Sequence, residues 1–209
     1  NRSNFIMQPG EALQLENFEP DISGGYRRIS GFRKYVNAVV PHTSSSSESL
    51  LMIANFDNKV VAARGEKIFS SASAELSIAI AADTSMTGSG TITVPSTLGF
   101  SSSGTLQINS EIFTYTGKTS TTFTGVTRAV SSTAAAHSKL DVVSESWTVR
   151  DTGRTSAAKY HFERYNFDGN EKIICVDGVN APVIFNTSMT AADVSDSSVA
   201  GATVVAAYR

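Results

Sequence analysis

The sequence predicts a mainly β fold in two parts, and three observations carry that prediction. Short apolar runs are punctuated by Asp-Asn and Asp-Gly pairs, the residue pattern of antiparallel hairpins. Helical periodicity is nearly absent. The middle of the chain differs in composition from its flanks: 30 of the 51 Ser and Thr residues fall within residues 71–146, and that stretch holds 8 of the 36 charged residues. A shift of this kind marks a domain boundary on each side. The expected organisation is a discontinuous platform, 1–70 and 147–209, interrupted by a Ser/Thr-rich β module, 71–146.

The elements follow in chain order. Leu50–Phe56 and Lys59–Arg64 read as a hairpin closed by a turn at Asp57-Asn58. Leu76 to Ala82 places apolar residues at even positions. Thr91–Val94 is a short strand. Residues 106–115 alternate Leu106, Ile108, Ser110, Ile112 and Thr114 with Gln107, Asn109, Glu111, Phe113 and Tyr115, and are read as one extended strand. Thr116 to Ser120 supplies a loop, and Thr121–Arg128 a second strand that forms a hairpin with the first. Leu140–Val143 completes a module of about four to six strands, closed on itself as a small barrel or sandwich because so small a unit cannot leave long edges bare. Beyond it come Tyr160–Tyr165, Lys172–Val176 and Val183–Phe185, separated by turns at Asp168-Gly169 and Asp177-Gly178. Ala191 to Ser195 suggests a short helical turn. Ala202–Tyr208 reads as a strand, so the chain is expected to be the N-terminal part of a longer protein.

Composition removes several function classes. With 17 Lys+Arg against 19 Asp+Glu, the net charge of -2 provides no global basic footprint for tight binding of nucleic acid. The longest apolar stretches, Leu50–Ala54 and Val179–Phe185, fall far short of the roughly 20 residues of a membrane-spanning helix. Cys175 is the only cysteine, which excludes an intrachain disulfide and a cysteine-based zinc site. The N-terminal residues lack the basic-then-apolar pattern of a signal peptide.

Two stretches carry a resemblance. Pro9–Pro20, followed by Gly24–Tyr35, resembles the opening of bacteriophage tail nozzle proteins of the tail tubular protein B type, virion structural proteins in which such a segment leads into a β-propeller. Lys59–Arg64 with Lys67–Phe69, and Ile173–Pro182 with its Asp-Gly-Val-Asn-Ala-Pro run, are similar to blade strands and a blade turn of that family. Gly90–Val94, Gly99–Tyr115, Phe123–Arg128 and Ala136–Lys139 together resemble a small β module inserted in phage tail and fibre proteins, with the pattern F-x-x-x-G-x-x-x-I-x-x-E-x-x-x-Y-T-G, then L-T-G-V-x-R-G, then A-H. Here Phe123 replaces the usual Leu and Ala129 the usual Gly; neither change removes the strand pattern, and losing that Gly is expected to tighten a turn that requires positive φ. The resemblance implies an antiparallel β-propeller-like platform, partial in this chain. It also implies a homo-oligomeric ring, commonly a hexamer, in the virion tail and made in the host cytoplasm. Such a ring docks with adaptor or portal and tail fibre proteins and lets double-stranded DNA pass during ejection without specific binding. The alternative it leaves open is a receptor- or carbohydrate-binding module of a fibre or spike, in contact with the host surface.

Candidate site residues are weighed on that background. Arg27, Arg28, Arg33 and Lys34 place four cations near Tyr26, Phe32 and Tyr35. They are read as subunit-interface or channel contacts, paired with Glu11, Glu16, Glu19 and Asp21, because strand neighbours such as Arg27 and Arg28 point to opposite faces. Phe113 and Tyr115 are the candidates for surface recognition by stacking, Tyr115 being the one expected to reach solvent. Glu111 beside Arg128 reads as a cross-strand ion pair. His137 is expected to hydrogen-bond within the module. The remaining acids, Asp83, Asp141, Glu75 and Glu145, do not form a recognisable glycosidase pair. Asp57-Asn58, Asp168-Gly169-Asn170 and Asp177 to Asn180 are turns, since they lack the alternating acids and closing Glu of a calcium loop. No Walker ending or G-x-S-x-G elbow is present. The chain is therefore read as non-enzymatic, with no catalytic residue, cofactor or metal ligand.

Overall fold

The computed structural model describes residues 18–20, 26–28, 34–43, 47–156 and 158–207, and within 18–20 and 26–28 it describes the backbone alone. The chain divides into two compact units, Asn1–Lys34 and Tyr35–Arg209. In the first unit β1 (Phe18–Pro20) and β2 (Tyr26–Arg28) pair antiparallel, with Glu19 opposite Arg27 in the register.

The second unit is built almost entirely of antiparallel strands, as expected for the mainly β class. β3 (Leu50–Phe56), β4 (Lys59–Arg64) and β5 (Lys67–Ser71) follow one another as a meander, and β13 (Thr148–Thr152) pairs beside β5 to complete a four-stranded sheet. The β3–β4 turn is the two-residue loop its sequence suggests. Phe56 opposes Lys59, and Asp57 and Asn58 take φ of 45° and 59°, a left-handed conformation that Asp and Asn tolerate better than most side chains. A second four-stranded meander follows: β14 (His161–Tyr165), β15 (Lys172–Val176), β16 (Val183–Asn186) and β17 (Ala191–Asp193). The two sheets share one core. Met52, Ala54, Phe56, Val61, Ala63 and Ile68 of the first pack with Ile173, Cys175, Val183, Phe185 and Met189 of the second. Their first strands, β3 and β14, come into contact.

Between β5 and β13 the chain leaves to form a separate module with its own core, from Ala72 to Val143. It contains β6 (Ser73–Glu75), β7 (Thr87–Thr93), β8 (Gly104–Ile108), β9 (Glu111–Tyr115), β10 (Gly117–Lys118), β11 (Thr122–Thr127) and β12 (Val142–Glu145), seven strands in one strongly curled half-barrel sheet. A bond from the Ser77 amide to the Thr93 carbonyl at 2.9 Å brings the chain after β6 against the end of β7, where the curled sheet approaches closure. The module leaves and re-enters the platform at one place. The Glu145 amide donates to the Ala72 carbonyl at 2.8 Å, and Ser70 opposes Thr148 in the adjoining sheet.

Three sequence expectations are corrected. Residues 106–115 are not one strand but the hairpin β8–β9, because Asn109 adopts φ 52° and Ile108 turns back to face Glu111. Ala191 to Asp193 is strand rather than helix, since the edge of β16 offers it a ladder in which Phe185 opposes Ala191; the helical element among the described residues is a 3-10 turn at Ser197–Val199. Residues 202–207 form no strand. The Gly178 amide bonds to the Ala202 carbonyl and the Val205 amide to His161, contacts too few to make a ladder. No helix among the described residues is long and apolar enough to cross a membrane.

Candidate functional site

The densest concentration of polar chemistry lies inside the module, at the end of the β8–β9 hairpin. Glu111 opens β9 with no exposed surface, and Arg128 follows β11 with 9% of its surface exposed. The two form a bidentate pair, Arg128 Nε to Glu111 Oε1 and Nη2 to Oε2, each at 2.8 Å. The other guanidinium hydrogens go to main-chain carbonyls: Nη1 to Ala81 and Thr84, Nη2 to Ala135. Every donor of the guanidinium fork therefore has an acceptor. Glu111 also accepts from the Ala129 and Ala135 amides at 3.1 and 2.9 Å, and lies 2.8 Å from His137 Nε2. Burial pushes the Glu111 carboxyl upward, but the Arg128 bonds, the Ala135 amide and His137 outweigh it and hold the pKa at about 2. Hydrogen bonding to Glu111 raises that of Arg128.

This is the ion pair expected from the sequence, in a deeper setting than a surface cross-strand pair. His137 also bonds within the module as expected, with the Phe113 ring 5.7 Å away on one side and Asn109 Nδ2 at 3.5 Å from its Nδ1. A carboxylate, a guanidinium and an imidazole with all these partners in place have no open face for a substrate. Chemically the cluster is a staple: it gathers the loops at 81–84 and 129–137 onto the start of β9.

The two proposed recognition residues are part of the same interior. Phe113 is fully buried and Tyr115 is 2% exposed. Tyr115 stacks edge-on against Phe123 at 4.9 Å and donates its hydroxyl to the Ser101 carbonyl at 2.9 Å. Burial, with Glu145 nearby, pushes that hydroxyl's pKa up. Neither ring is available as a stacking platform, which corrects the expectation. The cause is the turn at Asn109-Ser110. In a two-residue hairpin, opposed residues share a face, so Leu106 and Phe113, and Ile108 and Glu111, point together into the interior, with Tyr115 on the same face.

Of the four cations proposed for interface or channel contact, Lys34 is exposed. Arg27 and Arg28 lie on β2, whose side chains are not described, and Arg33 lies outside the described residues, as do the proposed partners Glu11, Glu16 and Asp21.

A residue the sequence reading passed over ties the two four-stranded sheets together. Arg154, 7% exposed, follows β13, pairs with Asp151 of that strand, and reaches Asp193 of β17 at 2.5 Å and the Ala181 carbonyl at 2.7 Å. Its signal is local: Asp151-Thr-Gly-Arg154 puts a carboxylate three residues before a guanidinium across a glycine turn. Nearby, Asp177 accepts from the Val179 and Asn180 amides, so the Asp-Gly-Val-Asn run is a side-chain-capped turn. Among the described residues no group of three or more His, Cys, Asp or Glu is placed to hold a metal ion.

No protein-family model matches the chain, and no curated protein or solved structure is significantly similar to it.

Proposed function

We propose that the chain is a structural component of a bacteriophage tail, the nozzle that forms the distal DNA exit channel, with its two four-stranded meanders acting as consecutive blades of a β-propeller. The observation that carries this reading is the arrangement of those sheets. Each is an antiparallel meander of four strands, the two pack on one core, and their first strands β3 and β14 come into contact. Successive propeller blades are stacked in this way, first strand nearest the axis. The module then occupies the connection between the third and fourth strands of the first blade, where an insertion leaves the blade ladder intact.

On this reading the protein works by assembly. Copies form a ring, docked to adaptor or portal and fibre proteins in the virion, through which DNA passes without sequence-specific contact. Electron cryomicroscopy of intact particles tests it. The expected result is density for this chain in a symmetric ring below the portal. Density found singly on peripheral fibres overturns it in favour of host recognition, which would then need a surface other than Phe113 and Tyr115.

A further inference from the structure

The module is joined to the first four-stranded sheet by a stalk of two chain crossings, residues 71–73 and 145–147, and a third segment clasps that stalk. Tyr35–Val40, the chain that follows the N-terminal unit, runs across the junction. Asn37 donates both hydrogens of its side-chain amide, to the Gln107 carbonyl of β8 at 2.8 Å and to the Val142 carbonyl of β12 at 2.7 Å. Its backbone amide donates to Ser144 Oγ at 3.1 Å. One residue on, the Ala38 carbonyl accepts from the indole of Trp147 at 3.0 Å, where the chain re-enters the platform. The Val40 carbonyl accepts from Arg64 of β4 at 2.6 Å. Within four residues, then, this segment holds the module at Asn37, the stalk at Ala38 and the sheet at Val40.

The stalk is itself hydrogen-bonded, Ser71 Oγ to the Glu145 carbonyl at 2.7 Å and the Ser146 amide to the Thr105 carbonyl at 3.1 Å, and a steric contact adds to it. Gly99 of the module rests on the β3–β4 turn so closely that a Cβ there would lie 2.4 Å from the Asn58 carbonyl oxygen. An open cleft of about 310 Å³ lined by Tyr35, Asn58, Glu75 and Leu98 lies at the same junction. The module has its own core and its own ionic staple, so its internal fold does not depend on the clasp.

We propose that residues 35–40 are a latch, with Asn37 as its catch, that fixes the orientation of the inserted module on the first sheet. Asn37 lies three residues beyond Lys34 along the chain. The bonds that hold Asn37 go to two main-chain carbonyls and the Ser144 hydroxyl, and they release without unfolding either core. The latch stands independently of the nozzle reading, since it rests on the junction alone.

The test uses the full chain with spin labels at Lys139→Cys in the module and Ser188→Cys in the second sheet, both exposed positions. The native Cys175 is buried, and burial pushes its thiol up to about 12, so it does not compete for label. Distance distributions are measured by pulsed electron paramagnetic resonance for the native residue, Asn37→Ala and Asn37→Asp. Asp keeps the size of Asn but presents oxygen where two donors are needed. Losing two hydrogen bonds should raise the population outside the native distance by about tenfold in Asn37→Ala, with at least as large an effect in Asn37→Asp and a smaller one in Trp147→Phe. Amide exchange at Phe113 and Phe185 should stay at native rates in all three. Native distributions in both Asn37 variants overturn the latch. So does accelerated exchange at Phe113 in those variants, which would make Asn37 part of the module's own fold.

Discussion

The module and the pair of four-stranded sheets both bury an arginine, but in opposite ways. In the module, Arg128 and its partners Glu111, Ala81, Thr84 and Ala135 lie within one compact stretch of chain, and the cluster closes that unit on itself. In the platform, Arg154 reaches from the end of β13 to Asp193 of β17 and so adds a buried polar tie between two sheets that meet mainly through apolar side chains. The first arrangement suits a unit carried as an insertion. The second suits repeated units whose order and orientation must be held.

The comparison breaks most sharply at Glu111. Glu111→Gln preserves volume but leaves the Arg128 charge buried without its counter-charge, and removing one partner of a buried pair costs about 3–5 kcal/mol. Chemical denaturation followed by hydrogen exchange should show this loss at Phe113 and Tyr115, with Ile173 and Phe185 of the platform little changed. Equal loss in both regions would mean that the two cores fold as one cooperative unit. Titration sharpens the same point. The folded-state pKa of Glu111 is depressed from the ordinary 4.5 to about 2. Its contribution is therefore fully present above pH 4.5 and is lost as pH falls from there towards 2. The stability of the module should decline through that window, and in Glu111→Gln this part of the slope should disappear.

The reciprocal variant is Arg154→Met, which keeps much of the apolar stem but removes the bonds to Asp151, Ala181 and Asp193. Asp193 is largely exposed and can be rehydrated, so the expected loss is about 2 kcal/mol. It should be seen in exchange at Ile173 and Phe185 and not at Phe113. Arg154→Lys should recover little of it, because an ammonium cannot reproduce the fork.

These two centres were unequally legible in the sequence. Glu111 and Arg128 stand out because a charged residue among so many Ser and Thr must be explained, and pairing explains both, while His137 reads as a hydrogen-bonding residue of the module. Arg154 sits among several charged neighbours, and its partner Asp193 belongs to a stretch that reads as helix, so nothing local connects them. The hairpin 50–64 was legible because Asp57-Asn58 is a strong turn signal between clear strands. The β8–β9 hairpin was not, because alternation continues through Asn109-Ser110 without a Gly, and the weaker turn signal is hidden in an unbroken period of two. That one turn reverses which residues face inward, and it is why Phe113 and Tyr115 belong to the core. The latch at Asn37 lies beyond sequence reasoning altogether, since its acceptors are main-chain carbonyls 70 and 105 residues away.

The smallest expected effect is a gain. Ala129 occupies φ 57°, a left-handed conformation in which a Cβ costs roughly 1–2 kcal/mol, while Gly adopts it freely. Ala129→Gly also gives the unfolded chain more freedom, at a cost of about 0.5–1 kcal/mol, so the net stabilisation should be about 0.5–1 kcal/mol. The Ala129 side chain makes none of the staple's bonds; it is the backbone amide that donates to Glu111 Oε1, and Gly keeps it. The gain should therefore appear in the module and be silent in the platform, with the acid transition of Glu111 unmoved. If Ala129→Gly instead destabilises the module, the methyl group is packing against a neighbour more favourably than the backbone is strained. The staple would then tolerate its left-handed turn for the sake of that contact.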